Sequence, residues 1–207
     1  MRSARLLGKA AKRWMRTTIA DPAAAASADL IGRDFTTDAA KVNSRWCGDI
    51  TYIPTSEGWL YLATVDIASR RVVGPARAGH QRAELVADAL ADAVAAREPA
   101  PGVIFHADRG CQYTSSSYAR LAADCRVRLS HGRTGQCWDN ALAESFFSAI
   151  KGELLNDRSW PTRAVASHVV TDYIGWYNGA RLHSTLGYKT SAEFEASTSP
   201  GRLQDVA

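Results

Sequence analysis

Residues 48–78, "GDITYIPTSEGWLYLATVDIASRRVVGPARA", contain three apolar runs separated by short turns. The first run, 48–54, alternates in polarity, which is typical of a strand with one buried face. The second run, 59–67, and the third, 72–78, follow at turn spacings. The stretch therefore predicts a three-stranded antiparallel meander. Pro75 cannot donate a hydrogen bond to a neighbouring strand, so the third strand is predicted to be an edge or to be bulged at that point.

Beyond the meander, the sequence alternates between helical and strand patterns. Apolar residues recur at helical spacing through 81–97, and a Ser-rich start suits the capping of a helix over 115–125. Short apolar runs predict two more strands, at 103–108 and 127–130. Longer periodic segments predict two more helices, at 139–155 and 163–178. A meander followed by alternating helices and strands predicts an α/β fold, with a mixed five-stranded sheet covered by helices on both faces.

Composition places the chain among ordinary globular proteins. Its 207 residues are 46% hydrophobic and 22% charged, which fits about one domain. No apolar run approaches the roughly 18 residues of a membrane span, and basic residues interrupt the N-terminal stretch where a secretory signal would be apolar. We therefore expect a cytoplasmic protein without a membrane partner.

The four cysteines lack paired C-x-x-C spacing, so free thiols are expected rather than a zinc site or disulfides.

Charge is unevenly placed along the chain. The formal net charge is +4, and no acidic residue precedes Asp21. Six basic residues occupy that segment: Arg2, Arg5, Lys9, Lys12, Arg13 and Arg16. Read as a helix, the segment is basic and amphipathic, which favours a nucleic-acid partner. A solvated helix face and an organellar transit peptide remain open as alternatives.

The acidic residues offer a candidate site. Asp108 ends a predicted strand, and 35 residues separate it from Glu144, a spacing found in the D-D-35-E pattern of polynucleotidyl transferases. The interval alone does not decide the matter, because two other pairs share it, Asp21 with Glu57 and Asp157 with Glu193. Context favours Asp108 and Glu144, since the rival pairs fall on a linker, a turn and late peripheral segments.

A third carboxylate strengthens that choice. Asp49 begins a strand that should be central in the sheet, where an unpaired carboxylate is costly unless it binds a cation or a charged partner. Glu144 belongs to a polar helix stripe formed by Asn140, Glu144, Ser148 and Lys151. Asp66, inside another strand pattern, is the main rival of Asp49. Three hard oxygen ligands suit Mg²⁺ or Mn²⁺, and two such ions would support phosphoryl transfer on a nucleic acid.

Five ordered motifs carry a resemblance to a known family. They are "RWCGDITYIPT", "GWLYLATVDIASRRVVG", "FHADRGCQYTS", "GRTGQCWDNALAESFFSAIKGEL" and "YIGWYNGARLHSTLGYKTSAEF". Together they resemble the second-reading-frame transposases of insertion sequences, which have a retroviral-integrase-like DDE catalytic core, and the resemblance runs from about Asp29 to Glu195. It implies a ribonuclease H-like fold, two divalent metal ions, and cutting and joining of DNA at element ends.

The resemblance also implies roles for individual residues. It places the catalytic and metal-binding triad on Asp49, Asp108 and Glu144, and it makes Lys151 a candidate for gripping DNA near the metal site. The chain departs from the family pattern at Ala107, Pro75 and Ala180, none of which is a triad position. Family members usually carry a helix-turn-helix region before the core, so an upstream-frame DNA-binding protein is an expected partner, together with further copies of the chain on DNA.

These implications divide the chain into three parts. Residues 1–30 are expected to be a basic segment and linker, interpreted as the remnant of a DNA-binding region. Residues 31–195 are expected to form the integrase-type core with a C-terminal helix and a basic loop, and 196–207 a flexible tail.

Further residues are candidates for DNA contact. Arg109 and Arg133 lie in Gly-containing loops beside the triad, where guanidinium groups hold phosphates well. Asn140 shares the polar stripe with Glu144, and Arg181 and His183 lie in a late polar loop where phosphate contact and a structural hydrogen-bond network are equally good interpretations. Two alternatives to a transposase remain open: an inactive DNA-binding remnant that modulates a full-length transposase, and a stand-alone ribonuclease H-like nuclease.

Overall fold

The computed structural model describes residues 27–197, apart from positions 64, 81, 134, 135 and 157. Strand segments in this part of the chain are β1 (Arg45–Cys47), β2 (Thr51–Thr55), β3 (Gly58–Ala63), β4 (Val65–Asp66), β5 (Ala76–Ala78), β6 (Ile104–Ala107) and β7 (Arg128–His131). The α-helices are α1 (Ala83–Arg97), α2 (Ser116–Asp124), α3 (Ala141–Ile150), α4 (Arg163–Gly179) and α5 (Ser191–Ala196). The expectations for residues 1–26 and 198–207 lie outside the described residues.

The strands form a mixed four-stranded sheet and an antiparallel three-stranded sheet. In the first, the order is β4-β1-β6-β7, with β1 antiparallel to β4 and parallel to β6, and β6 parallel to β7. In the second, the order is β2-β3-β5. The predicted α/β class, meander and parallel strands are confirmed. The prediction of a single five-stranded sheet differs from this description, because β1 precedes the first predicted strand, 48–54, and the second predicted strand, 59–67, contributes β3 to one sheet and β4 to the other.

The break between β1 and β2 is associated with contacts that Gly48 makes with residues distant in the sequence. The Gly48 amide donates to the His106 carbonyl (2.9 Å), while the Gly48 carbonyl accepts a hydrogen bond from the Asn140 side chain (3.0 Å). Gly48 also lies so close to Phe105 that a Cβ at this position would overlap the ring. The bond to His106 completes the pairing of β1 with β6, whereas the carbonyl of Gly48 is taken by Asn140 instead of a strand partner, so Asp49 lies in the break and β2 begins two residues later.

Helices cover the sheets on two sides. One buried cluster joins Cys47, Ile53 and Ile67 to residues of α3 and α4, including Phe146, Ile150 and Tyr173. A second cluster joins Trp46 and Phe105 to residues of α1 and α2, including Val86, Leu90 and Tyr118. The layers are therefore helix, sheet and helix, as the alternating pattern predicts. Trp176 of α4 is 47% exposed, whereas Tyr173 and Tyr177 of the same helix are buried.

Element boundaries follow recognisable signals. The Ser115 hydroxyl caps α2 by accepting from the Tyr118 amide, as the Ser-rich start predicts. Strand β5 begins only after Pro75 and is the outer strand of the described three-stranded sheet, which confirms the predicted edge. Helix α5 was not predicted as a separate element, although Thr190 and Glu193 form a capping box at its start. Within the described residues, no helix combines the length and hydropathy that crossing a membrane requires.

Candidate active site

Asp49 and Asp108 are brought together by the register of two parallel strands. Cys47 of β1 pairs with His106 of β6, and Asp49 and Asp108 each follow two residues after this pair, just beyond the regular strands. Both aspartates follow the carboxyl ends of their strands, and ligands of open α/β sheets bind at this edge. The Asp108 carboxylate is exposed and accepts from the Gly110 amide (3.0 Å), whereas Asp49 is half-buried and accepts from the Ile50 amide (2.8 Å).

Glu144 reaches the same region from the first turn of α3. The chain approaches this helix through a short 3-10 turn, Cys137–Asn140. The buried Asn140 amide donates to the Gly48 carbonyl, which fixes the start of α3 to the end of β1. The helix presents Glu144 to solvent while Phe146 and Ile150 are buried, which confirms the predicted separation of polar and apolar faces.

The three carboxylates line one open cavity of about 460 Å³. Other side chains in its wall are Arg109, Arg133, Gln136, Asp139 and Asn140. Within the described part of the chain, no three Asp, Glu, His or Cys side chains are already close enough together to hold a metal ion. Joint coordination by all three carboxylates therefore requires side-chain rotation, and the exposed Asp108 and Glu144 have room for it.

Electrostatics identify Asp49 as the most perturbed member of this group. Burial raises the pKa of Asp49 to about 6, and the carboxylates of Asp108 and Glu144 act in the same direction. The Ile50 amide and the Lys151 ammonium oppose this rise. The environment thus disfavours a third negative charge in the cavity, which is a condition that a bound cation relieves.

Asp139 organises the basic side of the cavity. Its buried carboxylate accepts from Arg133 Nε (3.0 Å) and Nη2 (3.1 Å), and from Arg33 Nε (2.6 Å). The hydrogen bonds from Arg133 and Arg33 hold the pKa of Asp139 well below its usual range. Sequence reasoning did not find Arg33 or this role of Asp139, because 106 residues separate the two partners and no local motif links them.

His106 supports the loop that leads into α3. Its Nε2 faces the Asp139 carbonyl (2.9 Å), and its Nδ1 faces the Ser130 hydroxyl (2.8 Å). A carbonyl oxygen only accepts, so Nε2 donates and Nδ1 accepts from Ser130. Burial lowers the pKa of His106, which fits this neutral ring. His106 is therefore a structural residue beneath the cavity.

The other predicted DNA-binding residues divide into two groups. Arg109 borders the cavity and donates to the Gly132 carbonyl (2.9 Å), while Lys151 lies over the Tyr52 ring with Nζ 5.3 Å from its centroid. Arg181 and His183 instead lie at a second cavity, where Arg181 pairs with Glu153 (2.9 Å). The structure thus places the late polar loop away from the three carboxylates.

Asp66, the rival of Asp49, is a structural residue. Its carboxylate is fully buried and accepts hydrogen bonds from five donors: the amides of Asn43, Ala68 and Ser69, the Trp46 indole and the Ser69 hydroxyl. It is not part of the carboxylate cavity. Among the aspartates of the meander, Asp49 therefore fits a ligand role and Asp66 a folding role.

Comparisons with known proteins agree with this architecture. Two models described as Integrase core domain match residues 39–137 and 125–190. The transposase for insertion sequence element IS904 of Lactococcus lactis is 43% identical over 159 residues, covering 76% of this chain and 63% of that protein. The chain belongs to the integrase-core transposases of insertion sequences.

A second transposase matches the chain with a similar sequence identity and a similar coverage of both proteins. Transposase InsF for insertion sequence IS3A of Escherichia coli K12 is 40% identical over 171 residues, covering 82% of this chain and 59% of that protein. The chain thus spans about 60% of the length of these two relatives.

Solved structures show the same fold at low sequence identity. A simian T-cell lymphotropic virus intasome, in complex with PP2A regulatory subunit B56 gamma, aligns with a TM-score of 0.65 at 17% identity, covering 90% of this chain and 63% of that one. The HTLV-2 integrase catalytic core domain, in complex with magnesium in a dimeric form, aligns with a TM-score of 0.58 at 16% identity, covering 74% and 97%. These likenesses establish an integrase-type, ribonuclease H-like fold.

The raised pKa of Asp49 makes a pH-dependent contribution to stability. An aspartate whose pKa rises from 3.8 to about 6 on folding binds more protons in the folded state between these values, so its contribution to stability falls as pH rises through that window. The shift corresponds to at most roughly 3 kcal/mol, and partial exposure reduces our expectation to about 1–2 kcal/mol. In EDTA, Asp49→Asn should therefore exceed the wild type in stability above pH 6, with the gain vanishing below pH 4, as measured by urea unfolding.

Asp88→Asn, on the exposed face of α1, is the matched control and should leave the stability unchanged at every pH. If Asp49→Asn raised the free energy of unfolding by the same amount at pH 4 and pH 7, the effect would not come from the charge of Asp49.

Proposed function

We propose that the chain is the catalytic core of a DNA transposase that cleaves phosphodiester bonds at element ends and joins the freed ends to target DNA. The observation that carries this proposal is the convergence of Asp49, Asp108 and Glu144 on one cavity with basic residues in its wall. Family membership supports the same reaction class, and the activity of the longer relatives is extended to this shorter chain as part of the proposal.

The chemistry of the side chains suits a divalent metal ion. Asp49, Asp108 and Glu144 offer hard anionic oxygens, which Mg²⁺ and Mn²⁺ prefer. Burial, with a smaller contribution from the charges of Asp108 and Glu144, raises the pKa of Asp49, and a bound cation would favour its charged form. These three residues would hold the metal, and two ions bound there would supply activation of the attacking hydroxyl and stabilisation of the leaving oxygen. The magnesium in the HTLV-2 integrase structure supports this choice of metal.

The remaining residues of the cavity would position DNA. Arg109 and Arg133 present guanidinium groups that can hold phosphate oxygens in pairs. Arg133 is already oriented by Asp139, and its side chain is 59% exposed, so it can contact a phosphate while keeping that partner. Lys151 acts on Asp49 through its charge and stands at the edge of the triad. Trp138 is 66% exposed next to Asp139 and offers a surface for stacking on an unpaired base.

The joining of two element ends implies that the chain acts together with other protein molecules. Two ends call for two active sites, so we propose that several copies assemble on DNA; the similar HTLV-2 integrase core, solved in a dimeric form, supports assembly of more than one copy. An upstream-frame DNA-binding protein would supply recognition of the element ends. Because the proposed substrate is DNA, the proposed location is the cytoplasm, in association with the nucleoid.

The proposal is tested by incubating the full chain with labelled duplexes that carry the ends of its insertion sequence. Cleavage and strand joining should appear with Mg²⁺ or Mn²⁺ and be absent in EDTA. Hydrolysis without joining would identify a stand-alone nuclease instead. Salt-sensitive DNA binding without any metal-dependent cleavage would identify an inactive remnant.

A further inference from the structure

A second cavity, of about 480 Å³, adjoins the same helix that carries Glu144. Ala141, Leu142, Ser145 and Ala149 of α3 contribute to it, whereas Asn140 and Glu144 line the carboxylate cavity. Its other walls come from Phe35, Arg70, Tyr177 and the loop 181–188. A single helix therefore separates the two cavities.

The lining of the second cavity is electropositive. Its described residues include Arg70, Arg181 and His183, and none of them is an Asp or Glu. Hydroxyl groups of Ser145, Ser184 and Thr185 add possible hydrogen-bond donors. Arg181 has a carboxylate partner in Glu153, which lies outside the lining. Arg70 is therefore the main positive charge in this cavity that no carboxylate of the lining neutralises.

Arg70 has one donor without a partner. Its Nη2 donates to the Phe35 carbonyl (2.9 Å), but Nη1 is buried and has no hydrogen-bond partner among the described residues. The neighbouring Asp66 carboxylate already accepts from five other donors. A guanidinium keeps its proton in proteins, and a buried charged donor left unpaired is costly. A ligand acceptor would remove this cost.

The backbone also holds Arg70 in an unfavourable conformation. Its φ of 63° lies in the left-handed region, which costs a non-glycine residue about 1 kcal/mol or more. The preceding turn is fixed by Asp66, which accepts from the amides of Ala68 (2.8 Å) and Ser69 (3.0 Å). A strained, fixed backbone and an unpaired guanidinium nitrogen at one cavity together point to ligand binding.

His183 provides a second unpaired polar atom at this cavity. Its side chain is buried, and Nε2 has no hydrogen-bond partner in the described part of the chain. Its ring packs edge-to-face on Tyr177, with centroids 5.0 Å apart, so the nitrogen is held in place. Two side chains that line this cavity, Arg70 and His183, therefore each carry a buried polar atom without a partner among the described residues.

We propose that this second cavity binds a phosphate group, with the Arg70 guanidinium as the principal donor, and that the ligand is a phosphodiester of DNA. The choice of DNA rests on the proposed function. It is favoured because a substrate strand in the carboxylate cavity needs to cross only one helix, about 10 Å wide, to reach the second cavity. The exposed Tyr188 and Leu182 at its rim offer apolar contacts to a sugar or a base.

The first test measures the affinity for a fluorescein-labelled duplex by anisotropy, in EDTA and over a range of KCl concentrations. Arg70→Gln should lower the affinity about 5- to 10-fold at low salt. It should also reduce the magnitude of the log–log salt slope by about one, the value for one lost phosphate contact. Arg120→Gln, the same change at an exposed position on α2, should leave the slope at the wild-type value. A wild-type slope in Arg70→Gln would overturn the proposal.

Two further measurements guard against a folding artefact and a wrong ligand. Inorganic phosphate should raise the melting temperature of the wild-type chain above that in chloride of equal ionic strength, and Arg70→Gln should lose this increment. Absence of the increment in the wild type would overturn the phosphate site. If Arg70→Gln weakened binding of a poly-glutamate peptide but not of DNA, the ligand would be an acidic protein segment and the assignment to DNA would be wrong.

The outcome is separable from the proposed catalytic function. An Arg70-dependent salt slope without metal-dependent cleavage would reject the transposase activity and leave the phosphate site standing. Cleavage and joining with an unchanged slope would reject the phosphate site alone.

Discussion

Asp108→Asn and Glu144→Gln are each expected to reduce metal-dependent cleavage and strand joining by about 10³-fold or more, which corresponds to about 4 kcal/mol of transition-state stabilisation. Each change keeps the shape of the side chain but removes a negative oxygen from the cavity shared with Asp49. Both residues are exposed, so the free energy of unfolding should change by less than about 0.5 kcal/mol. The rates come from gel assays of end cleavage and joining, and the stabilities from urea unfolding.

The chain supplies unusually close controls for this experiment. Glu57 and Glu193 each follow an aspartate at the same interval of 35 residues, yet both have structural contacts: Glu57 accepts from the Arg163 amide, and Glu193 belongs to the capping box of α5. Glu57→Gln and Glu193→Gln should therefore retain wild-type cleavage. Retained activity in Asp108→Asn or Glu144→Gln would refute the assignment of the triad.

Asp66→Ala should lower the free energy of unfolding by roughly 3–5 kcal/mol, because it leaves five buried or partly buried donors without their acceptor. Burial raises the pKa of Asp66, while the backbone amides of Ser69 and Asn43 oppose this effect. Asp66→Asn keeps one acceptor oxygen and should cost less. Denaturant unfolding at neutral pH measures both changes.

This prediction also separates the roles of Asp66 and Asp49. Molecules of Asp66→Asn that remain folded should cleave DNA at the wild-type rate, whereas Asp49→Asn should be stable and inactive. Asp88→Ala, an exposed aspartate on α1, controls for the loss of a carboxylate and should be neutral in both measurements. A stable but inactive Asp66→Asn would identify Asp66 as the ligand and contradict the role proposed for Asp49.

Sequence patterns predicted much of this fold because its signals are local. Alternating polarity located the meander, and helical periodicity located α1, α3 and α4 to within a few residues. Patterns also placed Asp108 at a strand end and Glu144 on the polar stripe of α3, but they put Asp49 at the start of a strand and not, as observed, in a break after β1. Each inference used residues adjacent along the chain.

The parts that sequence reasoning missed depend on contacts between distant residues. The break at 48–50 arises from Phe105 and Asn140, which lie far along the chain from Gly48. Arg33 and Asp139 form an ion pair across 106 residues, and no periodicity records it. Arg70 shows no special local pattern, and its unpaired nitrogen becomes visible only when the cavity walls are assembled.

The pairing of Cys47 with His106 has a consequence for how the site tolerates change. Neighbouring strands lie about 4.8 Å apart, a spacing close to the roughly 4 Å between two catalytic metal ions. The paired strands, rather than the loops, thus anchor the backbone just before each of the two aspartates. A change in the loops around this edge should therefore leave the two strand ends that precede the aspartates in place.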